Sequence, residues 1–190
     1  MKILFVGASG MIGGEALRHC LIHPKVTSVV AFVRRELPTE VSKNPKLKCI
    51  ITKDFSSWPT EVLESHADAA GMIWAMGTYK GSIAADLDYP MLFIESMIRT
   101  LDMQNSSGSR RPFRYVHLSG KFVRQDQDKK LWFLEEPRKI KGLLETRALA
   151  LGKEHSDVWT TFIVKPGKFQ CYPFYNKQLC IHETWEEAVL

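Results

Sequence analysis

Gly7, Gly10 and Gly13 stand at three-residue steps in the segment Gly7-Ala8-Ser9-Gly10-Met11-Ile12-Gly13. Glycine at that spacing suits one kind of chemistry. It permits a tight turn and lets backbone N–H groups approach a pyrophosphate, while the start of a helix adds partial positive charge. The context fits, because an apolar strand, Lys2–Val6, leads in and an apolar-periodic helix, Met11–Ile22, leads out. A tight turn without a ligand is the plain alternative.

At the end of the second strand, an acidic side chain would take the ribose hydroxyls of NAD and repel an added phosphate. This sequence has Arg34-Arg35 there. Two guanidinium forks suit a 2′-phosphate, so the expected cofactor is NADP(H); the bland reading of either arginine is solvated surface charge. Asp54 follows the third strand, placed to accept a hydrogen bond from an adenine amino group with Phe55 beside the ring. A turn or a helix cap would use the same pair.

Other reactive residues have ordinary readings. His117 lies within a strand and reads as a hydrogen-bonded core histidine rather than a base. Asp126, Asp128, Glu135 and Glu136 flank a loop with no defined pairing distance, so no hydrolytic carboxylate dyad follows. Trp132 and Phe133 either close over a substrate or begin a core-facing helix, and Trp185 has the same two readings. Cys20, Cys49, Cys171 and Cys180 are scattered without metal-ligand spacing, so free thiols and no metal are expected. The net charge of +5 gathers at Arg110, Arg111 and Arg114 and at Lys129, Lys130, Arg138, Lys139 and Lys141. These groups lie in different segments and lack an aromatic-interleaved motif, so they read as solvated faces that also attract an anionic cofactor, not as a nucleic-acid surface.

The elements that must position these residues alternate short apolar runs with helical stretches, as parallel strands joined by crossover helices do. Strands are expected at Lys2–Val6, Val26–Val33, Leu47–Thr52, Gly71–Ala75, Phe113–Leu118 and Thr160–Val164. Right-handed crossovers then give a Rossmann-type doubly wound α/β sheet in the order 3-2-1-4-5-6. Leu87, Met91, Ile94, Ile98 and Leu101 form one helical stripe, and Pro90 fits only in that helix's first turn. Ile140, Leu143, Leu144, Ala148 and Leu151 form another, into which Arg147 intrudes; it must snorkel, pair or meet a partner chain, for instance in a homodimer.

A chain of 190 residues with 45% hydrophobic and 25% charged residues suits one compact globular domain. The stretch Asn105–Arg111 reads as an exposed loop, and only 23 residues follow Pro166-Gly167, a short C-terminal tail. The opening apolar run is too short for a signal peptide or a membrane span, so a cytoplasmic protein with no membrane partner is expected.

Together these residues resemble the atypical short-chain dehydrogenase/reductase family, nearest the branch of the Tat-interacting oxidoreductase-like protein and related fungal proteins. The carriers span nearly the whole chain: the glycine segment, Ala75-Met76-Gly77-Thr78, Asp88-Tyr89, His117-Leu118-Ser119, Lys141-Gly142-Leu143-Leu144-Glu145 and Val164-Lys165-Pro166-Gly167. The resemblance implies that Ala75 to Thr78 lies along the cofactor's ribose and pyrophosphate. It also implies that Pro166, Gly167 and Phe169 face the nicotinamide end, where a turn and a core aromatic are the alternative readings of the last two. The family's chemistry uses a serine, a tyrosine and a lysine four positions beyond the tyrosine. Ser119 and Lys141 match, but the tyrosine position is Pro137. Proline has no proton to give. Either another phenol such as Tyr79 reaches the site, or the proton comes from Lys141, Ser119 or water, or no hydride moves.

The leading expectation is an NADP(H)-dependent oxidoreductase acting on a small apolar carbonyl or alkene, in a pocket bounded by Thr78, Ser119, Lys141 and Phe169. One rival is a non-redox isomerase or cyclase that uses the pocket to orient its substrate. Another is a regulatory protein that senses NADP(H).

Overall fold

The computed structural model describes residues 1–104 and 111–166, together with the backbone of 171–174 and 177–180. Six parallel strands, β1 (Lys2–Val6), β2 (Ser28–Val33), β3 (Leu47–Ile51), β4 (Gly71–Trp74), β5 (Phe113–Leu118) and β6 (Trp159–Val164), lie in the order β3-β2-β1-β4-β5-β6. Strand order reverses between β1 and β4, and that reversal opens a crevice at the strands' carboxyl ends. The helices are α1 (Met11–Ile22), α2 (Thr39–Ser42), α3 (Thr60–Glu64), α4 (Tyr89–Gln104) and α5 (Glu135–Glu154). Within the tail, β7 (Cys171–Phe174) and β8 (Lys177–Cys180) pair antiparallel, with Cys171 opposite Cys180 in register. Among the described cysteine side chains, Cys20 and Cys49 are free thiols.

Alternation along each strand sends neighbouring side chains to opposite faces. Ile3 and Phe5 pack with Ala16, Leu17 and Cys20 of α1, whereas Leu4 and Val6 pack with Leu63 of α3 and Met97 and Ile98 of α4. Burial on both faces is why β1, β2 and β4 read as almost unbroken apolar runs, while the edge strand β3 is only partly covered. Beneath α4 and α5 the core is aromatic, with Trp58 and Phe93 at a centroid separation of 4.9 Å and Tyr115 and Trp159 at 5.5 Å. Such pairs add about 0.5–1.5 kcal/mol each beyond burial and give the site a stiff floor. His117 belongs to this layer, buried and bonded through Nδ1 to the Tyr115 hydroxyl at 3.0 Å.

β2 begins at Ser28 rather than Val26. Val26 is buried, but its N–H closes a turn onto the His23 carbonyl, so hydrophobicity there marks the core and not the ladder. β3 and β4 each stop one residue short of their expected ends, and β6 starts one residue early, at Trp159.

The α4 region departs from a plain helix. A π-helical turn, Ala84–Asp88, precedes α4, and the Tyr89 N–H donates back to the Ala84 carbonyl. Pro90 has no N–H, and its ring would collide with the carbonyl four residues back in an α-helix; widening the preceding turn accommodates both. The expected first-turn position of Pro90 therefore holds for α4 itself, although helical backbone begins before it. The same turn directs Asp86 inward, where it is buried.

Helix α5 starts after Leu134, a non-glycine residue at φ 46°. Its Leu144 and Ala148 are buried, and Ile140, Leu143 and Leu151 pack at the edge of the same core. Arg147 is exposed, turned away from the stripe it was expected to enter. Gly142 is where the loop after β5 crosses the helix: a Cβ there would lie 1.7 Å from the Arg124 carbonyl oxygen.

Candidate functional site

At the crevice, Gly7 adopts φ +89°, and a Cβ on it would lie 2.5 Å from the Ala75 carbonyl carbon. A Cβ on Gly13 would lie 2.2 Å from the Gly7 carbonyl oxygen. These two glycines let the turn pack against the end of β4 and let α1 pack against the turn. Gly10 differs, being exposed at φ −78° with its N–H on the Gly7 carbonyl at 3.0 Å. The Gly14 N–H bonds the Gly10 carbonyl, so the N–H groups of Met11, Ile12 and Gly13 have no partner within the helix. No side chain caps α1 and its first turn holds no acid. Ser9 and Met11 are exposed around this opening and Ile12 is half-buried beside it. An open helix start with a close-packed glycine turn is a cradle that a pyrophosphate fits.

Arg34 and Arg35 follow β2 directly, both exposed and without an ion pair or side-chain hydrogen bond among the described residues. Asp54 is exposed in a turn with acceptor capacity to spare, whereas Phe55 is turned away from the place expected for an adenine contact. The Asp54 carboxylate accepts from the Ser56 N–H at 2.8 Å and the Ser56 hydroxyl at 2.7 Å, and these bonds hold it below the usual carboxylate range. This is the turn alternative. The Phe55 ring is 2% exposed and packs on Trp58 and Trp74, because apolar burial draws it into the core.

A cleft of about 660 Å³ opens past the ends of β4 and β5, bordered by Ile12, Ala75, Gly77 and Thr78 on the side of the cradle and by Ser119, Pro137 and Lys141 on the other. Met76 instead packs its side chain against the core. Tyr79, Phe122, Trp132 and Phe133 are exposed at the cleft, Trp132 at 99%. Trp132 and Phe133 therefore precede α5 at the site's rim and take no part in the core.

Two carboxylates that sequence reasoning gave no role organise this cleft. Asp86 accepts from the Thr78 N–H at 2.8 Å, the Ser82 N–H at 2.9 Å, the Thr78 hydroxyl and Lys141 Nζ at 2.9 Å. Burial by itself would raise its pKa, but the hydrogen bonds from Thr78 and Lys141 and the lysine's charge prevail and hold it below the usual range. Glu145, wholly buried, accepts from Ser119 Oγ at 2.6 Å through Oε1, and from Gln125 Nε2 at 2.9 Å and Lys165 Nζ at 2.8 Å through Oε2. His117 below is driven down to about 3 by burial first and by the Lys141 charge second, and so is neutral. The available signal for Glu145 was its place among Leu144 and Ala148 on the apolar stripe, since a buried acid requires partners. Asp86 was hidden by the π-turn, whose register differs from the helical period.

Pro137 is buried in the first turn of α5, where its missing N–H costs nothing. Gly81, at φ +86°, packs directly against it; a Cβ on Gly81 would lie 3.0 Å from the proline ring. Tyr79 ends at the mouth of the cleft. Pro166 is half-buried after β6, and Gly167, Phe169, Trp185 and residues 105–110 lie outside the described residues.

With this geometry in place, comparison with known proteins is informative. No protein-family model matches the chain. The solved short-chain dehydrogenase from Streptomyces avermitilis superposes with a TM-score of 0.58 at 18% identity, over 89% of this chain and 66% of that one. Vestitone reductase from alfalfa superposes with a TM-score of 0.61 at 13% identity, over 87% of this chain and 56% of that one. The chain has the fold of these enzymes. In sequence it is 24% identical to the mitochondrial protein FMP52 of Saccharomyces cerevisiae over 178 residues, 88% of this chain and 65% of that protein. The chain thus spans about two-thirds of that relative's length. Among the described residues no helix is long and apolar enough to cross a membrane.

Proposed function

We propose that the chain is an NADP(H)-dependent oxidoreductase of the atypical short-chain dehydrogenase/reductase type, acting on a small, largely apolar carbonyl or alkene or its reduced partner. The observation that carries this reading is continuity: Ile12 and Ala75, at the glycine cradle, and Gly77 and Thr78 beyond them all line the cleft that holds Ser119 and Lys141. A dinucleotide laid on the α1 N-terminus would extend its adenosine end toward Arg34 and Arg35 and its nicotinamide end toward the cleft. Bound there, the cofactor supplies hydride chemistry. The protein's own part is to cradle the phosphates with backbone N–H groups, to fork a 2′-phosphate with the paired arginines, and to hold a substrate oxygen at Ser119. Lys141 positions the ribose while Asp86 fixes the ammonium.

Pro137 favours one rival, a non-redox isomerase or cyclase on the same scaffold, because the phenol of the usual proton relay is absent. Following NADPH absorbance beside product formation with small ketones and enones separates the two. Consumption of one NADPH per product supports the oxidoreductase; product without consumption overturns it in favour of the rival. NADPH binding with no product across a broad panel would leave a cofactor sensor. We place the protein inside the cell, and fractionation decides between the cytoplasm and the mitochondrion that the yeast relative's name gives for that protein.

A further inference from the structure

The Ser119 hydroxyl commits its one proton to Glu145 Oε1 at 2.6 Å. A hydroxyl has one donor and two acceptor lone pairs, so what Ser119 offers the cleft in this state is an acceptor. A group seated against it must bring a proton, which an alcohol does and a carbonyl does not. Behind Ser119, Glu145 is 0% exposed, and its second oxygen is held by Gln125 and by the Lys165 ammonium, whose side chain is 36% exposed. A cleft hydroxyl, a buried carboxylate and a solvent-touching ammonium thus form one chain of hydrogen bonds.

We propose that Glu145 receives, through Ser119, the proton given up by a secondary alcohol bound in the cleft, and so fills the role left open at Pro137. The alcohol O–H proton passes to Ser119 Oγ as the serine's own proton passes to Glu145 Oε1. The carbinol C–H bond breaks, its hydrogen leaving with the electron pair to the oxidised nicotinamide nucleotide, and the C–O bond becomes a carbonyl. Glu145 ends as the neutral acid and, once the carbonyl product leaves, returns its proton through the Ser119 hydroxyl to water entering the cleft, while Gln125 and the Lys165 ammonium, which can only donate, hold the carboxylate in place. In the reverse direction the protonated Glu145 resupplies Ser119. The inference rests on the oxidoreductase reading, which provides the hydride acceptor.

Among the described residues, few charged groups surround Glu145. Lys165 comes from the end of β6, and Lys141, one turn back on α5, is already paired with Asp86. Ser119 and Gln125 from the loop after β5 are neutral, as is His117 on β5. Oxidation requires ionised Glu145, so its rate rises with pH through the Glu145 inflection while reduction falls.

The test uses the full chain with NADP⁺ and two probes, cyclohexanol and phenylethanol, measured from acid to mildly alkaline pH, alongside NADPH fluorescence titration and thermal melts. Glu145→Gln is expected to bind NADPH as the wild type does, to lose about 100-fold or more in kcat, and to lose the pH inflection. Ser119→Ala is expected to lose activity equally, and Glu145→Asp to regain part of it with the inflection. The acid C=O infrared band of Glu145, missing in Glu145→Gln, should titrate with the same inflection as kcat. A Glu145→Gln protein that oxidises both alcohols at the wild-type rate with an unchanged pH profile overturns the relay and leaves the proposed function standing. A wild type that binds no NADPH, or oxidises neither alcohol, overturns the function on which the relay rests. Where Glu145→Gln fails to fold, Lys165→Met serves: loss of the ammonium must move the inflection to higher pH, and an unmoved inflection overturns the relay.

Discussion

Lys141 Nζ lies 2.9 Å from Asp86 Oδ1, so the lysine at the cleft is tethered to the π-helical turn before α4. The tether spans 55 residues of sequence and ties α5 to the segment that also carries Thr78. Removing one partner of a buried pair leaves the other uncompensated. Because Lys141 keeps some solvent contact, Asp86→Asn is expected to cost about 2–3 kcal/mol in urea unfolding, below the fully buried case. The Asp86 carboxyl is held low when folded, so its contribution is present above the unfolded carboxylate pKa and fades as pH falls through the folded one. The gap between wild type and Asp86→Asn should therefore close toward acid pH; a constant gap would show that the pair is not ionic.

His117 provides the other pH signature. Burial lowers it from 6.5 to about 3, so between those values the unfolded chain holds a proton that the folded chain refuses. Stability is full above the unfolded value and declines as pH drops through that window, by up to ~1.4 kcal/mol per pH unit. Denaturant unfolding of His117→Gln should lack this slope.

Gly142→Ala tests the contact between the loop after β5 and α5. Alanine favours a helix over glycine by about 1 kcal/mol, yet here its Cβ would meet the Arg124 carbonyl at 1.7 Å. A clash of that depth requires the loop to move, and overpacking of this kind costs about 1–3 kcal/mol. A net fall in melting temperature is expected, with activity reduced as Gln125 leaves Glu145. A rise in melting temperature would mean that the loop yields freely.

The cradle and the arginines are separable by nucleotide titration. Gly10→Val should fold, because φ −78° is open to any residue, but its side chain would occupy the approach to α1 and abolish NADPH binding. Arg34→Ala with Arg35→Ala should weaken NADPH by about 10- to 100-fold, the worth of one or two charge-assisted hydrogen bonds, and leave NADH unchanged. Equal weakening of both nucleotides would remove the 2′-phosphate from its assigned place.

Much of the scaffold was legible along the chain. Lys2–Val6, Met11–Ile22 and Phe113–Leu118 are elements with the expected bounds, and the strand order is the expected one. Phe55 was misread because an aromatic after a strand suits a ligand face and a core equally, and only its neighbours Trp58 and Trp74 decide. Arg147 drew notice as a charge near an apolar stripe, while the buried charge on α5 is Glu145.

What the sequence determined by itself is what local spacing can encode: the period-2 and helical patterns, the glycine turn between β1 and α1, and the basic pair after β2. These depend on steric and hydrophobic rules acting over a few residues. Only the tertiary structure decided how the charges at the cleft are settled, with Lys141 on Asp86 and Ser119 and Lys165 on Glu145. A buried charge is stable only beside its partners, and partners 55 and 26 residues away in sequence become neighbours only once the sheet and α5 have assembled.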